Sequence, residues 1–289
     1  MPVVSGKEVV RHAYENGYAV AAINCQGGNY DLLRAVVEAA AEEKAPVIVA
    51  VHPNNTGYYG LEWAPEAVRI LIRDMGIPVA VHLDHGQDIP TVIRAARSGY
   101  SSVMIDYSAR SLQENIEATC RILDEARPHG VSVEAELGEL LRNAGDTETT
   151  PSAADNLVDP THVSHFLSKA PVDMLAVGIG NAHGFYKGTP NIRLDLLTRV
   201  REVACETPLV LHGTTGIPED IVRKCVELGM AKVNFGTQLR VAYLNYLNEA
   251  LQGEFDHSGH AWRLLEHVKE RLKTDIRKII RLTGGSGRA

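Results

Sequence analysis

The sequence lacks the features that mark exported and membrane-bound chains. No apolar run approaches the roughly 20 residues that a transmembrane helix needs. The N-terminal stretch MPVVSGKEVV has no basic segment followed by an apolar core, so it does not resemble a signal peptide. These absences predict a cytoplasmic protein with no membrane partner.

Closely spaced cysteines and charge of one sign are also missing. The four cysteines, Cys25, Cys120, Cys205 and Cys225, form no close pair, which argues against a disulfide framework and a zinc ribbon. Lysine and arginine together number 29 against 36 acidic residues, and the two signs are interspersed. The net charge of -7 argues against a nucleic-acid partner, and an anionic substrate would need a local binding site.

The chain is long enough to fold around one large core. With 289 residues, of which 45% are hydrophobic, it can bury roughly three quarters of its unfolded surface. No stretch in the middle has the composition of a linker. We therefore expect residues 1–289 to form a single domain, a size that α/β barrels commonly reach.

Short β-rich apolar runs alternate with amphipathic segments along the chain. Apolar residues between the runs recur at helical spacing, as in Leu32, Leu33, Val36 and Val37. Eight repeats of strand and helix predict an α/β fold, a (β/α)8 TIM barrel. The predicted strands are residues 19–24, 46–51, 78–83, 102–105, 132–137, 174–177, 208–211 and 232–235.

Extra helices are predicted at both ends of the barrel. Ser5-Gly6-Lys7-Glu8 fits a capping box, which indicates an opening helix that runs to about residue 15. Two more helices are predicted at 238–251 and 261–282, and the glycine-rich tail 284–288 is expected to be flexible. The alternative fold is a doubly wound open sheet, although the first turn, NCQGGNY, lacks the G-x-G-x-x-G dinucleotide fingerprint.

Polar residues follow every predicted strand, at the end where the active sites of such barrels gather. The clearest case is Val81-His82-Leu83-Asp84-His85-Gly86, where a carboxylate and an imidazole follow an apolar run and precede a glycine turn. One interpretation is a metal ligand beside a proton carrier. The other is a buried histidine with Asp84 as the cap of a helix at 89–98.

Three histidines stand at corresponding positions of the predicted barrel. His85, His183 and His212 follow the third, sixth and seventh strands, and each precedes a glycine. A single such histidine is more often a packed or capping residue, but three around one open face suit Zn²⁺, which keeps a fourth position for water or substrate. His82 is expected to lie in the core or behind the ligands.

Six motifs resemble the successive signatures of one enzyme family. They are HLDHG, SVMIDYS, VEAELG, VGIGNAHGFYKGTP, LVLHGTTG and KVNFGTQLR, in order along nearly the whole chain. As a set they resemble the class II, zinc-dependent fructose-bisphosphate and tagatose-bisphosphate aldolases. The resemblance implies a carbon–carbon lyase of carbohydrate metabolism, as in glycolysis, that acts on a phosphorylated sugar and forms a homodimer or homotetramer.

The resemblance also implies roles for individual residues. His85, His183 and His212 would hold the catalytic Zn²⁺, with a monovalent cation as a further cofactor. Asp84 would carry the proton of the aldehyde oxygen. Asp106 and Glu136 would form an inner acidic site where the metal can also lodge. Residues that would contact the ketose phosphate or lie beside it are Asn24, Gly184, Gly213, Thr215, Asn234 and Thr237. Separately from the resemblance, Lys187 is a candidate for an added positive charge, although a loop lysine is more often simply exposed.

These roles agree with the chemistry of aldol cleavage. The C4 hydroxyl loses a proton while the C3–C4 bond breaks, which gives an aldehyde and dihydroxyacetone phosphate as its enediolate. Zn²⁺ chelated by the ketone and adjacent hydroxyl oxygens would spread that negative charge, so no lysine Schiff base is required. Asp84, next to His85, is placed to take the hydroxyl proton or to return it in condensation.

Several residues depart from the family pattern near the sugar rather than near the metal. Thr214-Thr215 stands where Gly-Ser or Ala-Ser is usual, and Gly236 replaces a common Asp or Ala. Gln26-Gly27 replaces two asparagines, and His52 replaces a serine. These departures predict retained aldol chemistry on an altered ketose phosphate.

The connection at 138–160 is long enough to be a lid over the active site. The family motif Gly-Gly-x-Glu-Asp is absent there, and the chain reads LLRNAGDTET instead. Glu148 and Asp146 are the candidates for the missing lid glutamate. Because the family's lid motif is absent, a non-catalytic accessory subunit remains an alternative to an aldolase. A metal-dependent hydrolase is a further alternative, since barrels of this kind also activate water.

Overall fold

Eight parallel strands close into a barrel in the computed structural model, which describes residues 3–138, 148–149, 157–186 and 188–289. The strands are β1 (Val20–Asn24), β2 (Val47–Val51), β3 (Val79–Gly86), β4 (Ser102–Ile105), β5 (Ser132–Leu137), β6 (Met174–Val177), β7 (Leu209–Leu211) and β8 (Met230–Phe235). Their order around the ring is β1-β8-β7-β6-β5-β4-β3-β2.

Helices surround the barrel and alternate with its strands. A pair of two-residue strands, Glu148–Thr149 and Phe185–Tyr186, lies outside the ring. The helices are α1 (Gly6–Glu15), α2 (Tyr30–Glu43), α3 (Trp63–Leu71), α4 (Ile89–Arg97), α5 (Leu112–Ala126), α6 (Pro160–Lys169), α7 (Leu194–Ala204), α8 (Glu219–Glu227), α9 (Thr237–Glu249) and α10 (Ala261–Leu282). Short 3₁₀ turns occur at Pro53–Asn55 and Arg127–His129.

The predicted (β/α)8 barrel with additional terminal helices is confirmed. Each predicted strand overlaps an observed one, and β3 and β8 are longer than predicted. The open-sheet alternative is wrong because β1 pairs with β2 on one side and with β8 on the other, which leaves no edge. Closure places the carboxyl ends of all eight strands around one mouth.

Helix α1 closes the opposite end of the barrel. Its N-terminus is capped by Ser5, whose hydroxyl accepts a hydrogen bond from the Glu8 amide at 3.1 Å. Its apolar face, which includes Val9, Val10 and Ala13, packs against inward-facing side chains of the strands. Helix α1 therefore fills the barrel at the amino ends of the strands, and a cavity opens at their carboxyl ends.

The C-terminal segment is tied to the barrel, and the predicted flexible tail is wrong. Helix α10 packs along α2. The Gly287 amide then donates to the Glu43 carbonyl at 2.8 Å, and the Ala289 amide donates to the Lys44 carbonyl at 2.8 Å. These backbone bonds hold a glycine-rich segment whose composition alone indicates a flexible chain.

Candidate active site

A cavity of about 310 Å³ opens at the carboxyl ends of the strands. Its walls come from the loops after β1, β2, β3, β6, β7 and β8. Most of the residues predicted for the site line it, namely Asn24, Asp84, His85, His183, Gly184, His212, Gly213, Thr215, Asn234 and Thr237. The structure thus brings together residues that are more than 200 positions apart in the sequence.

A bulge in β3 explains how two adjacent residues both reach this cavity. Neighbouring residues of a regular strand point to opposite faces. Between Leu83, opposite Val103, and Gly86, opposite Ile105, β3 has one residue more than β4. The extra residue gives His85 a positive φ of 50°, and both Asp84 and His85 line the cavity.

The alternative interpretation of Asp84 as a helix cap is not what the structure shows. Helix α4 begins at Ile89 and is capped by Asp88, whose carboxylate accepts from the Thr91 amide at 2.8 Å. Asp84 is instead 6% exposed at the floor of the cavity. Its carboxylate is therefore available for chemistry rather than for capping.

The three predicted histidines converge at the centre of the cavity. The ring centroids of His85 and His212 are 4.6 Å apart, and those of His85 and His183 are 4.8 Å apart. One nitrogen from each ring lies within 4.8 Å of the others. This donor set fits Zn²⁺, which binds imidazole nitrogens at about 2.0–2.1 Å and accepts three protein ligands in catalytic sites.

The two nitrogens of His85 face two different groups. Nε2 lies 2.9 Å from His212 Nδ1, towards the histidine cluster. Nδ1 lies 2.8 Å from the Asp106 carboxylate and 4.0 Å from that of Glu136. The predicted inner acidic site is therefore adjacent to the histidine site and shares His85 with it.

Asp84 is held by amides and surrounded by positive charge. Asn234 Nδ2 donates to Oδ1 at 3.1 Å, and Asn24 Nδ2 donates to Oδ2 at 3.4 Å. Burial raises the pKa of Asp84, but the nearby His85 and other basic groups outweigh it and hold the pKa well below its usual range. Asp84 is therefore a carboxylate at neutral pH, able to accept a proton.

The pKa values of the buried His85 and His212 are shifted in opposite directions. Burial lowers the pKa of His85, but the carboxylates of Asp84 and Asp106 outweigh it and raise the pKa to about 9. For His212, burial dominates and lowers the pKa despite its hydrogen bond with Glu134. These opposite pKa shifts agree with the 2.9 Å contact, in which His85 Nε2 donates and His212 Nδ1 accepts.

A fully buried ionic network lies beneath the histidines, and it was not predicted. Lys232 Nζ donates to Glu134 Oε2 at 2.6 Å, and Glu134 Oε1 accepts from His212 Nε2 at 2.8 Å. Burial raises the pKa of Glu134, but Lys232 outweighs it and lowers the pKa to about 2. Glu134 thus orients His212 so that Nδ1 faces the cluster.

His82 belongs to the same network, as its predicted place behind the ligands implies. Its Nδ1 lies 2.8 Å from Ser102 Oγ, and its Nε2 lies 3.4 Å from Lys232 Nζ. Burial and the charge of Lys232 lower the pKa of His82 to about 3, so the ring is neutral. A neutral imidazole can accept from the lysine on one side.

The wall after β7 and β8 offers donors for an anion. Helix α9 begins at Thr237 without a side-chain cap, and its N-terminal turn lines the cavity. Arg240, one turn further along, also lines it and was missed from the sequence. Gly213 has a φ of 64°, and a β-carbon there would lie 2.3 Å from the Ala182 carbonyl oxygen, so this position requires glycine.

Two predicted residues cannot be compared with this geometry. Lys187 lies outside the described residues, as does most of the predicted lid. Glu148 is described only as backbone, in the short strand beside Phe185. The role of Glu148 as the lid acid stays a prediction.

No helix in the described part of the chain is both long and apolar enough to cross a bilayer.

The chain is similar to known proteins over nearly its whole length. A family model described as fructose-bisphosphate aldolase class-II matches residues 4–288. A fructose-bisphosphate aldolase of Staphylococcus epidermidis is 36% identical, with 100% of both chains covered. A sulfofructosephosphate aldolase of Alkalicoccus urumqiensis is 33% identical, with 100% of this chain and 99% of that protein covered. The crystal structure of the YdjI aldolase of Escherichia coli K12 matches with a TM-score of 0.86 at 30% identity, with 99% of both chains covered.

Proposed function

Because the chain belongs to the class II fructose-bisphosphate aldolase family, we propose that it reversibly cleaves a ketose phosphate into dihydroxyacetone phosphate and an aldehyde in a zinc-dependent reaction. Family membership makes it a lyase, which argues against the hydrolase and accessory-subunit alternatives. The observation that carries the proposal is the convergence of His85, His183 and His212 beside Asp84.

His85, His183 and His212 would hold the zinc ion. A bound zinc ion would act as a Lewis acid that stabilises negative charge on substrate oxygens. Glu134 orients His212 through a hydrogen bond of 2.8 Å, and Asp106 orients His85 through one of 2.8 Å. Both carboxylates fix which ring nitrogen faces the centre, which supports a preformed metal site.

Asp84 would move the proton of the substrate's C4 hydroxyl. Its low pKa and its two amide donors keep it ionised and fixed in orientation. In cleavage it accepts the hydroxyl proton as the C3–C4 bond breaks, and in condensation it returns that proton to the aldehyde oxygen. General base catalysis of this kind contributes roughly 10²- to 10⁴-fold.

The phosphate of the ketose would bind between β7 and β8. Backbone amides near Gly213 and at the start of α9, with the hydroxyls of Thr215 and Thr237, support an oxyanion site there. Asn24, Gly184 and Asn234 line the adjoining wall. Lys187 and a monovalent cation stay predictions for the same region.

We further propose that the chain forms a homodimer or homotetramer. Leu244, Leu251 and Trp262, near the C-terminal end of the barrel surface, are 58%, 59% and 64% exposed. Leu244 lies on α9 and Trp262 on α10, and these helices contact each other, so exposed apolar side chains on neighbouring helices support a self-association surface. Sedimentation of the purified protein measures the native mass, and a strictly monomeric mass would contradict this proposal. The cytoplasmic location and the single domain at 1–289 stay predictions.

The aldol reaction is tested by combining the zinc-loaded protein with dihydroxyacetone phosphate and a panel of aldehydes. We expect ketose phosphate products, which should disappear with a chelator and return with added zinc. Absence of product from every aldehyde, with zinc shown to be bound, would contradict the proposed reaction.

A further inference from the structure

We propose that the substrate is a ketose monophosphate whose other end is an uncharged, hydroxyl-rich chain, bound by the loops after β1 and β2. This inference rests on the proposed aldol reaction and names its substrate class. The surface concerned comprises Gln26, His52, Asn54 and Asn55, which all line the cavity. We call these four residues the amide rim.

The ring order of the strands separates the two ends of the substrate. The proposed phosphate site lies at β7 and β8, and Asp84, which meets the C4 hydroxyl, lies at the end of β3. The loops after β1 and β2 stand between them in the ring. Asn24, at the end of β1, reaches Asp84 directly at 3.4 Å. Among the described residues that line the cavity beside Asp84, those outside the histidine cluster and the proposed phosphate site come from β1, β2 and the loops after them. The chain beyond C4 therefore extends from Asp84 along the amide rim.

Positive charge is concentrated at the phosphate end of the cavity. Within the described part of the chain, Arg240 is the one lysine or arginine that lines it, and it lies one turn after Thr237 in α9. A second phosphate would require further cationic or bidentate donors, as phosphate sites in proteins usually have. The amide rim instead offers neutral groups next to the negative charge of Asp84.

The two loops that carry the amide rim are packed against each other. Gly27 has a φ of 78°, and a β-carbon there would lie 1.9 Å from the Asn55 carbonyl oxygen, so the two loops are in direct contact. The Trp63 indole donates to the Gly28 carbonyl at 2.7 Å. These contacts fix the loop after β1 against the loop after β2.

One rim side chain offers a hydrogen-bond donor to the cavity. His52 Nδ1 accepts from the Asn54 amide at 3.1 Å, which holds these two rim residues together. Gln26 Nε2 is buried and, among the described residues, has no hydrogen-bond partner. A substrate hydroxyl would satisfy this donor and accept or donate in turn, whereas apolar chains would leave it unpaired.

The inference is tested by the choice of aldehyde in condensation with dihydroxyacetone phosphate. We expect kcat/KM for glyceraldehyde and erythrose to exceed that for glyceraldehyde 3-phosphate and erythrose 4-phosphate by about tenfold or more. Equal or better use of the phosphorylated aldehydes would overturn the inference and leave the aldol reaction standing. No product from either class would overturn both.

A charge added to the amide rim provides the matched variant test. Asn54→Arg should shift the preference towards the phosphorylated aldehydes by about tenfold, because a guanidinium supplies the missing phosphate contact. Gln113→Arg makes the same charge change at an exposed position of α5 outside the cavity and should leave the preference unchanged. If both variants behave alike, the amide rim does not meet the aldehyde end and the inference fails.

Discussion

Asp84 and His183 line one cavity, and their proposed roles can be separated by substitution. Asp84→Ala removes the proposed proton acceptor but none of the proposed metal ligands, so turnover should fall by roughly 10²- to 10⁴-fold while zinc stays bound. His183→Ala removes a proposed ligand, so zinc should be lost on dialysis. Metal analysis and steady-state rates of the two variants distinguish these outcomes. Loss of zinc from the Asp84 variant would assign that residue to the metal instead.

Lys232 should matter for stability although it does not line the cavity. Lys232→Met leaves the Glu134 carboxylate buried without its cation, and breaking such a pair costs about 3–5 kcal/mol. The double variant Lys232→Met/Glu134→Gln removes both charges and should recover part of that loss. Urea unfolding measures each difference.

An exposed pair serves as the control for this prediction. Lys224 lies 3.6 Å from Asp220 on the surface of α8 and is 52% exposed. Lys224→Met should change the unfolding free energy by less than about 1 kcal/mol. Similar losses of unfolding free energy in the Lys232 and Lys224 variants would contradict the prediction that the buried pair stabilises the fold more than an exposed one.

At the scale of single residues, the sequence predicted that the three histidines and Asp84 lie together, but not the ion pair of Lys232 and Glu134 beneath them. His212 directly follows the apolar run of β7, His85 lies within the end of β3, and His183 lies in the loop after β6, and each of the three precedes a glycine. Lys232 is flanked by Ala231 and Val233, and a strand lysine is usually exposed. A signal did exist: Lys232 is two positions before Asn234, so both share the inward face of β8.

Helix α2 and the C-terminal segment are in contact at Glu43, and protonation of Glu43 at low pH should lower the free energy of unfolding. The Arg281, Ser286 and Arg277 side chains bind its carboxylate, lowering the pKa of Glu43 to about 2 against burial. Its stabilising effect is complete above the unfolded pKa of about 4.3 and is lost as the pH falls towards 2. Glu43→Gln should therefore lower the unfolding free energy by about 1–3 kcal/mol at pH 7.

The pH dependence separates this effect from a simple packing defect. The difference between wild type and Glu43→Gln should shrink when unfolding is measured near pH 3.5 instead of pH 7. Glu15→Gln is a control because Glu15 pairs with Arg11 at the exposed end of α1. That variant should differ little from wild type at either pH. A constant deficit in the Glu43 variant would contradict the assignment to ionisation.

At the scale of elements, strand positions were predictable and local irregularities were not. Runs of β-branched and apolar residues specify where β1 to β8 lie, because both faces of a barrel strand are buried. The local sequence around Asp84 does not predict the extra residue of β3, because a bulge depends on how β3 pairs with Met104 and its neighbours in β4. The C-terminal tail was mispredicted for the same reason, because its partner, α2, is remote in sequence.

For the whole molecule, removing the metal should abolish activity without unfolding the barrel. The apolar core around the strands and the packing of α1 against the end of the barrel do not involve His85, His183 or His212. Chelation should leave the far-ultraviolet circular dichroism unchanged and lower the melting temperature, since a ligand at about 100 times its Kd adds about 2.7 kcal/mol. Thermal denaturation with and without zinc measures this. Loss of the circular dichroism signal on chelation would contradict it.

The contact between Gly27 and the Asn55 carbonyl also bears on how substrate range could change during evolution. Because the first two loops interlock, a substitution that enlarges or reshapes one of them displaces the other. Single changes at this wall are then costly, and tolerated changes should occur as correlated pairs. Laboratory selection for a new aldehyde should accordingly succeed more often when both loops are varied together than when either is varied alone.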